Sequence, residues 1–370
     1  SWSKLEVVKK EIETDSLFLK NLANPVNAIQ GYDVKVSAFT GFEDGTMENG
    51  TTAFEKRYIA SHVPNWVSEN CIQCNQCAFV CPHAVIRPFL ATEEEKAQAA
   101  DDAIYLQPNI KGLDGLHYSI RISVANCTGC GSCANVCPGK KGEKALVMTP
   151  IDEIIANGND ERDQFFFDNV TYKSDLVDLT QSARNTQFAK PLFEFSGACA
   201  GCGETPYIKL VTQLFGDRML IANATGCSSI YGGSFPATPY TTDAEGNGPA
   251  WANSLFEDNA EFGFGMKVAN QALRARLAIA LEKALEDKDL SSEDKEIVQK
   301  WLDNSENSTV TRQVEKDILR IAKATKADYA KDIVELKEYI VKRSQWIFGG
   351  DGWAYDIGFG GLDHVIANNE

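Results

Sequence analysis

Two short runs with one cysteine spacing constrain this chain more than anything else in it. Cys71-Ile72-Gln73-Cys74-Asn75-Gln76-Cys77-Ala78-Phe79-Val80-Cys81-Pro82 reads C-x2-C-x2-C-x3-C-P, and Cys127-Thr128-Gly129-Cys130-Gly131-Ser132-Cys133-Ala134-Asn135-Val136-Cys137-Pro138 repeats it. Thiolates so closely set suit a multi-iron cluster. Three from one tight loop can cap three corners of a cuboidal cluster, with small residues between them letting backbone N–H groups approach the sulfurs. The fourth is expected to start a helix facing away, and so to reach a second cluster. Zinc is the rival, since C-x2-C is also a zinc knuckle. A single zinc ion has no use for a third cysteine at this spacing, nor for the proline after the fourth.

The run is that of bacterial two-cluster ferredoxins, whose fourth cysteine crosses to the other cluster. It predicts one [4Fe-4S] cluster on Cys71, Cys74, Cys77 and Cys137, and its mate on Cys127, Cys130, Cys133 and Cys81. Eleven cysteines among 370 residues fit metal binding better than disulfides in a reducing compartment. The sequence opens on Ser1 without a secretory leader pattern, and the apolar runs around Phe165 and Leu220 fall short of the roughly 20 residues that span a bilayer. A cytoplasmic protein is expected. With 36 basic against 52 acidic side chains, a net charge of −16 argues against nucleic acid or an anionic membrane as partner.

Residues 1–50 read as the tail of a preceding domain and a linker, with a helical start from Trp2 to Lys20 and a loop-rich stretch from Gly41 to Thr51. An α+β ferredoxin-like domain is expected over 51–167, its cysteine runs separated by a helix-like acidic patch, Glu93-Glu94-Glu95. From 168 to 370 the pattern is α/β: Arg218 to Ala224 runs into Thr225-Gly226-Cys227-Ser228, and Trp346-Ile347-Phe348 into Gly349-Gly350-Asp351-Gly352. Strands ending in such turns place a ligand site at their carboxyl ends. Between them, at about 266–343, Leu273, Leu277, Leu281 and Leu285, then Ile333, Leu336 and Ile340, predict a helical hairpin packed on the sheet.

Cys199-Ala200-Gly201-Cys202 and Cys227 supply three further thiols. Alone the C-x2-C is ambiguous. On a chain with eight cysteines in cluster-ligand spacing it reads as most of a third cluster lacking its fourth ligand. Gly349 to Gly352 could cradle a diphosphate on its N–H groups, with Asp351 offering oxygen to Mg2+.

These residues together resemble pyruvate:ferredoxin (flavodoxin) oxidoreductase of the long single-polypeptide type. The resemblance runs in order through Glu55-Lys56-Arg57, Pro64-Asn65-Trp66, both cysteine runs, Gly201 to Tyr207, Asn223 to Gly233 and Gly350 to Gly358. It implies an incomplete thiamine diphosphate-binding α/β domain after the ferredoxin domain. It implies CoA-dependent oxidative decarboxylation of pyruvate to acetyl-CoA and CO2. It implies that electrons pass singly from thiamine diphosphate, through a radical intermediate and three [4Fe-4S] clusters, to ferredoxin or flavodoxin. By the same resemblance Cys199, Cys202 and Cys227 hold the cluster nearest the thiamine, and Glu204 and Cys227 contact the cofactor. Gly350, Asp351, Gly352 and Trp353 bind its diphosphate, with Asp351 on Mg2+. The activating glutamate, the substrate contacts and the fourth ligand of the third cluster are expected outside this sequence, in the remainder of a polypeptide about three times longer by domain-size arithmetic. A homodimer is expected.

Two alternatives stand beside this reading. One is a two-cluster electron-transfer module fused to a non-catalytic α/β domain, and the other a sister 2-oxo acid oxidoreductase. Lys140, Lys141 and Lys144 form a compact basic group beside a cysteine run where an acidic carrier could dock. The four histidines, including His83, show no ligand pattern, and no role is assigned to them.

Overall fold

The computed structural model describes residues 14–234, 237–356 and 358–369. Of the expected helix from Trp2 to Lys20, residues 2–13 lie outside the described residues; beyond them helical backbone runs on to Asn27. The chain forms two compact units, one of the residues up to Leu214 with Ile230–Gly246, the other of Phe215–Ser229 with the residues from Asn247 on.

The first unit is built on a repeat. Strand β1 (His62–Trp66) leads into a cysteine loop, a short helix and β2 (Ile86–Ala91); β3 (His117–Ile122) leads into the second loop, a second short helix and β4 (Leu146–Pro150). Pairing is nested and antiparallel: β1 lies on β4, with Trp66 opposite Leu146, and β2 on β3, with Ile86 opposite Ile122. That arrangement brings the two cysteine loops together around one core, to which Cys81, Cys127 and Cys133 themselves belong.

The β2–β3 pair is buried on both faces, yet it sets Arg87 directly opposite Arg121. Like charges facing each other across strands are costly unless matched. Each has its own carboxylate: Arg87 pairs with Glu194 and donates to the Tyr172 hydroxyl at 2.7 Å, while Arg121 meets Asp163 at 3.0 Å. Aromatic faces cover what remains, Arg87 lying over Phe167 and Phe195 and Arg121 over Phe166. The acidic patch is the helix Glu93–Gln98, opened by a capping box in which Thr92 and Glu95 satisfy each other's backbone N–H.

In the second unit β5 (Met219–Asn223), β6 (Ala250–Asn253) and β7 (Ser344–Phe348) form a parallel sheet in the order β6-β5-β7. Both strands read from the sequence are present, and β6 is additional. The long helix Asn259–Glu286 packs so closely on this sheet that a Cβ on Gly263 would stand 2.5 Å from Ile347 and 3.2 Å from the Ala222 Cβ. The expected hairpin is instead a four-helix packet. Ser292–Asp303, Ser308–Ala324 and Asp328–Glu335 join the long helix around Leu277, Leu281, Val298, Trp301, Ile318 and Ile333, a core of their own. Leucines at four-residue spacing mark one buried face but not how many helices cover it.

Candidate iron–sulfur and cofactor sites

In each repeat a single turn of 3-10 helix delivers the chain to the first cysteine of the loop: Ser68–Asn70 before Cys71, Val124–Asn126 before Cys127. The loop then curls through two left-handed residues. In the second repeat these are Gly129 and Gly131, at φ 70° and 75°. A Cβ on Gly129 would stand 2.9 Å from the His62 carbonyl oxygen, so only glycine fits. The first repeat departs from the small-residue expectation, because Gln73 and Asn75 hold the same conformation at φ 56°. Hydrogen bonds make up the difference. Gln73 donates to the Gln107 carbonyl at 2.7 Å and accepts from the Asn109 N–H, and Asn75 accepts from the Tyr118 hydroxyl at 2.7 Å and donates to the Arg184 carbonyl.

Curling aims backbone N–H groups at sulfur. Gln73 donates to the Cys71 Sγ and Gly129 to the Cys127 Sγ, each at 3.4 Å, and Ala145 donates to the Cys137 Sγ at 3.3 Å. Next come the helices Gln76–Val80 and Ser132–Val136. The fourth cysteine does not start a helix, as expected from the sequence; Cys81 and Cys137 each end one, at the C-cap. The short helix carries that thiol away from its own loop.

The consequence is a crossed grouping. One cavity is lined by Cys71, Cys74, Cys77 and Cys137 under Trp66, Tyr118 and Leu146. The other is lined by Cys81, Cys127, Cys130 and Cys133 beside Pro64, Val85 and Met148. All eleven cysteines are free thiols. Burial pushes Cys133 and Cys127 up to about 12, with neighbouring thiols adding to the rise, and Cys77 rises well above the ordinary value for the same reasons. Four thiols around one apolar space, buried or half-buried except for exposed Cys130, ionise only with a strongly cationic centre among them. Among the described residues no three His, Cys, Asp or Glu side chains converge on a single-ion site. Four thiols lining each of two cavities fit a pair of multi-iron clusters.

Cys199 and Cys202 belong to the same unit. Their turn, closed by the Cys202 N–H on the Cys199 carbonyl at 3.1 Å, stands against the second loop: a Cβ on left-handed Gly201 would lie 3.7 Å from the Cys130 Cβ. What holds it there includes His83, the residue after Cys81-Pro82. Buried His83 contacts the Ser196 carbonyl through Nδ1 at 3.0 Å, and its own carbonyl accepts from the Phe195 N–H at 2.9 Å. Arg57 donates to the carbonyls of Phe195 and Ser196. His83 thus has a structural place that no spacing in the sequence signalled. Glu204 follows, half-buried, its charge joining burial in raising the phenols of Tyr231 and Tyr240.

Cys227 belongs to the second unit, exposed at the start of the short helix Cys227–Ser229 just past the carboxyl end of β5. β7 ends beside it in the sheet, Asn223 opposite Phe348, and the Ala224 N–H donates to the Phe348 carbonyl at 2.8 Å. The Thr225-Gly226 and Gly349 to Gly352 turns therefore leave from one edge. A Cβ on Gly349 would meet the Trp353 ring at 2.4 Å. Asp351 is exposed, whereas Trp353 is buried among Ala224, Ala260 and Val365, and its indole N–H has no acceptor among the described residues.

A sequence family described as a 4Fe-4S dicluster domain matches residues 70–141, and one described as a domain of unknown function matches residues 5–60. The chain is 48% identical over 358 residues to a pyruvate:ferredoxin oxidoreductase of Moorella thermoacetica, covering 95% of this chain and 30% of that protein. It is 48% identical to a pyruvate-flavodoxin oxidoreductase of Klebsiella pneumoniae, again over 95% of this chain and 30% of the relative. The resemblance is borne out. A mitochondrial NADP+-dependent pyruvate dehydrogenase of Euglena gracilis is 41% identical over all of this chain and 20% of its own length. The chain thus spans about a third or less of these oxidoreductases, and within that span it contains the 4Fe-4S dicluster domain. Among the described residues no helix is long and apolar enough to cross a membrane.

Proposed function

We propose that this chain is the electron-transfer part, and the first portion of the thiamine-binding part, of a CoA-acylating 2-oxo acid oxidoreductase that acts on pyruvate. The observation that carries this is the crossed pair of cavities, each lined by four thiols, with the Cys199–Cys202 turn against one of them. Cys71, Cys74, Cys77 and Cys137 would hold one [4Fe-4S] cluster, and Cys127, Cys130, Cys133 and Cys81 the other. Bound clusters supply one-electron acceptance at low potential. The chain's part is to hold the two sets side by side in an apolar shell, with N–H groups on the sulfurs stabilising negative charge.

Cys199, Cys202 and Cys227 would bind a third cluster. Bound thiamine diphosphate would supply the nucleophile and electron sink for decarboxylation. Around it Glu204 and Cys227 would contact the cofactor. The N–H groups of Gly350 and Gly352 would receive the diphosphate and Asp351 its Mg2+, because two half-buried glycines and an exposed carboxylate follow the end of a parallel strand. Trp353, buried behind the turn, would fix that loop's shape. Coenzyme A is the acyl acceptor, and ferredoxin or flavodoxin the electron acceptor.

The test is pyruvate-dependent, CoA-dependent reduction of ferredoxin by the full-length protein under anaerobic conditions. Loss of that reduction in Cys199→Ser, with both dicluster signals retained by electron paramagnetic resonance (EPR), is expected. Intact clusters in the wild type without pyruvate-dependent reduction would overturn the reading.

A further inference from the structure

The two short helices that end at Cys81 and Cys137 are each capped by a lysine, and the two caps are unlike. Lys144 donates to the carbonyls of Asn135 at 2.8 Å and Cys137 at 2.7 Å. Lys209 donates to those of Phe79 at 2.9 Å and Cys81 at 3.4 Å, the same two positions in the other repeat, and also to Ala78. The second repeat takes its lysine from its own hairpin. The first cannot, because there the chain passes straight into β2, where Pro88 stands at the matching place. Its cap comes instead from the helix Thr205–Phe215.

Exposure separates them further. Lys144 is open to solvent, where water and salt screen its charge, while Lys209 is 2% exposed. A buried ammonium costs several kcal/mol unless opposed by negative charge, and carbonyl dipoles alone do not supply a net charge. Among the described residues the ionisable groups facing Lys209 are the thiols of Cys81 and Cys77 and the Arg87 guanidinium. Arg87 is already matched by Glu194. The anionic partners that remain for Lys209 are one thiol of each set, Cys81 and Cys77 of the mate; Cys81 exerts the larger pull, and it is the ligand whose own carbonyl Lys209 holds.

We propose that Lys209 is a positioning residue for electron transfer. Its fixed buried charge raises the reduction potential of the cluster held by Cys81, Cys127, Cys130 and Cys133 above that of its mate. This rests on the cluster assignment above. The couple is a one-electron reduction in which no bond is made or broken and the cluster becomes more negative, which a nearby fixed cation favours. The Cys81 set is also the one beside the Cys199–Cys202 turn. A raised potential there would draw electrons from that side.

The experiment is an EPR-monitored redox titration of full-length, cluster-loaded enzyme as wild type, Lys209→Met, Lys209→Gln and Lys144→Met. The Cys81-set signal is assigned by its change in Cys127→Ser. Both Lys209 variants are expected to move the electron equilibrium between the two clusters at least tenfold away from the Cys81 set, about 59 mV for a one-electron couple. Lys144→Met is expected to move it less than about threefold. Unchanged potentials in Lys209→Gln, which keeps a donor for the carbonyls, would overturn the proposal. So would loss of clusters from both Lys209 variants, which would make the lysine a folding cap only. A wild type without [4Fe-4S] signals would instead sink the cluster assignment itself.

Discussion

Asn75 holds in the first cysteine loop the left-handed position that Gly131 holds in the second, at φ 56° against 75°. The same bend is reached by two routes, one through a missing side chain and one through a buried amide bonded to Tyr118 and Arg184. Replacing each residue with alanine should separate the two. Gly131→Ala meets no atom within 4 Å, so its cost is the backbone term alone, about 1 kcal/mol. Asn75→Ala adds to that term the loss of two bonds and a buried Tyr118 hydroxyl left unpaired, for a total of about 2–4 kcal/mol. Anaerobic urea unfolding measures both, and equal costs would contradict the hydrogen-bond account.

Glu95 gives the first unit a pH dependence of known sign. Burial would raise its carboxyl, but the Lys173 ammonium at 2.6 Å and the N–H groups of Thr92 and Thr171 outweigh it and hold it below the ordinary 4.5. A folded value below the unfolded one means the unfolded chain takes up the proton first. The stabilisation is therefore complete above about pH 5 and lost as pH falls through 4.5 and on through the lower folded value. Glu95→Gln should cost about 1 kcal/mol at neutral pH, the worth of a cap, and flatten that acid limb. Urea midpoints from pH 7 down to about 3 read it directly.

Trp301 anchors the helical packet. It is 1% exposed, donates from Nε1 to the Ile340 carbonyl at 2.8 Å and lies under the Arg274 guanidinium. Trp301→Ala should cost about 3–5 kcal/mol by cavity formation and the lost bond. Trp301→Phe should recover most of it and still lose the 2.8 Å bond to the Ile340 carbonyl, leaving that carbonyl only the longer contact with Arg274 at 3.4 Å. Thermal unfolding distinguishes the two.

At the β7 turn, Gly349→Ala would drive a methyl into the Trp353 ring and displace the loop that bears Asp351. In full-length protein this should weaken Mg2+-dependent thiamine diphosphate binding at least tenfold, and Asp351→Asn should do so without a steric cause. Tryptophan fluorescence quenching measures it. Unchanged binding in Asp351→Asn would remove that residue from the site.

Much of this was legible in the sequence because cysteine spacing and glycine turns report backbone geometry locally. The crossed thiol sets and the two strand ends that meet at one edge follow from such patterns. What was not legible depends on partners distant in sequence. Gln73 and Asn75 look unsuited to a tight loop until Gln107, Asn109, Arg184 and Tyr118 are in place. Lys209 is one charged residue on an amphipathic helix until the fold sets it over Cys81. Lys144, one of the basic group with Lys140 and Lys141, also bonds the Asn135 and Cys137 carbonyls of its own loop, which its sequence position alone does not show. The packet of four helices between β6 and β7 reads as a hairpin in the sequence because periodicity shows a face and not its neighbours.

The central claim is that each cluster draws three thiolates from one loop and one from the other. EPR spectra of anaerobically prepared full-length Cys71→Ser, Cys137→Ser and Cys81→Ser variants test it most directly. The account predicts that Cys71→Ser and Cys137→Ser perturb one and the same signal, and that Cys81→Ser perturbs the other. Pairing of Cys71→Ser with Cys81→Ser on one signal would contradict it.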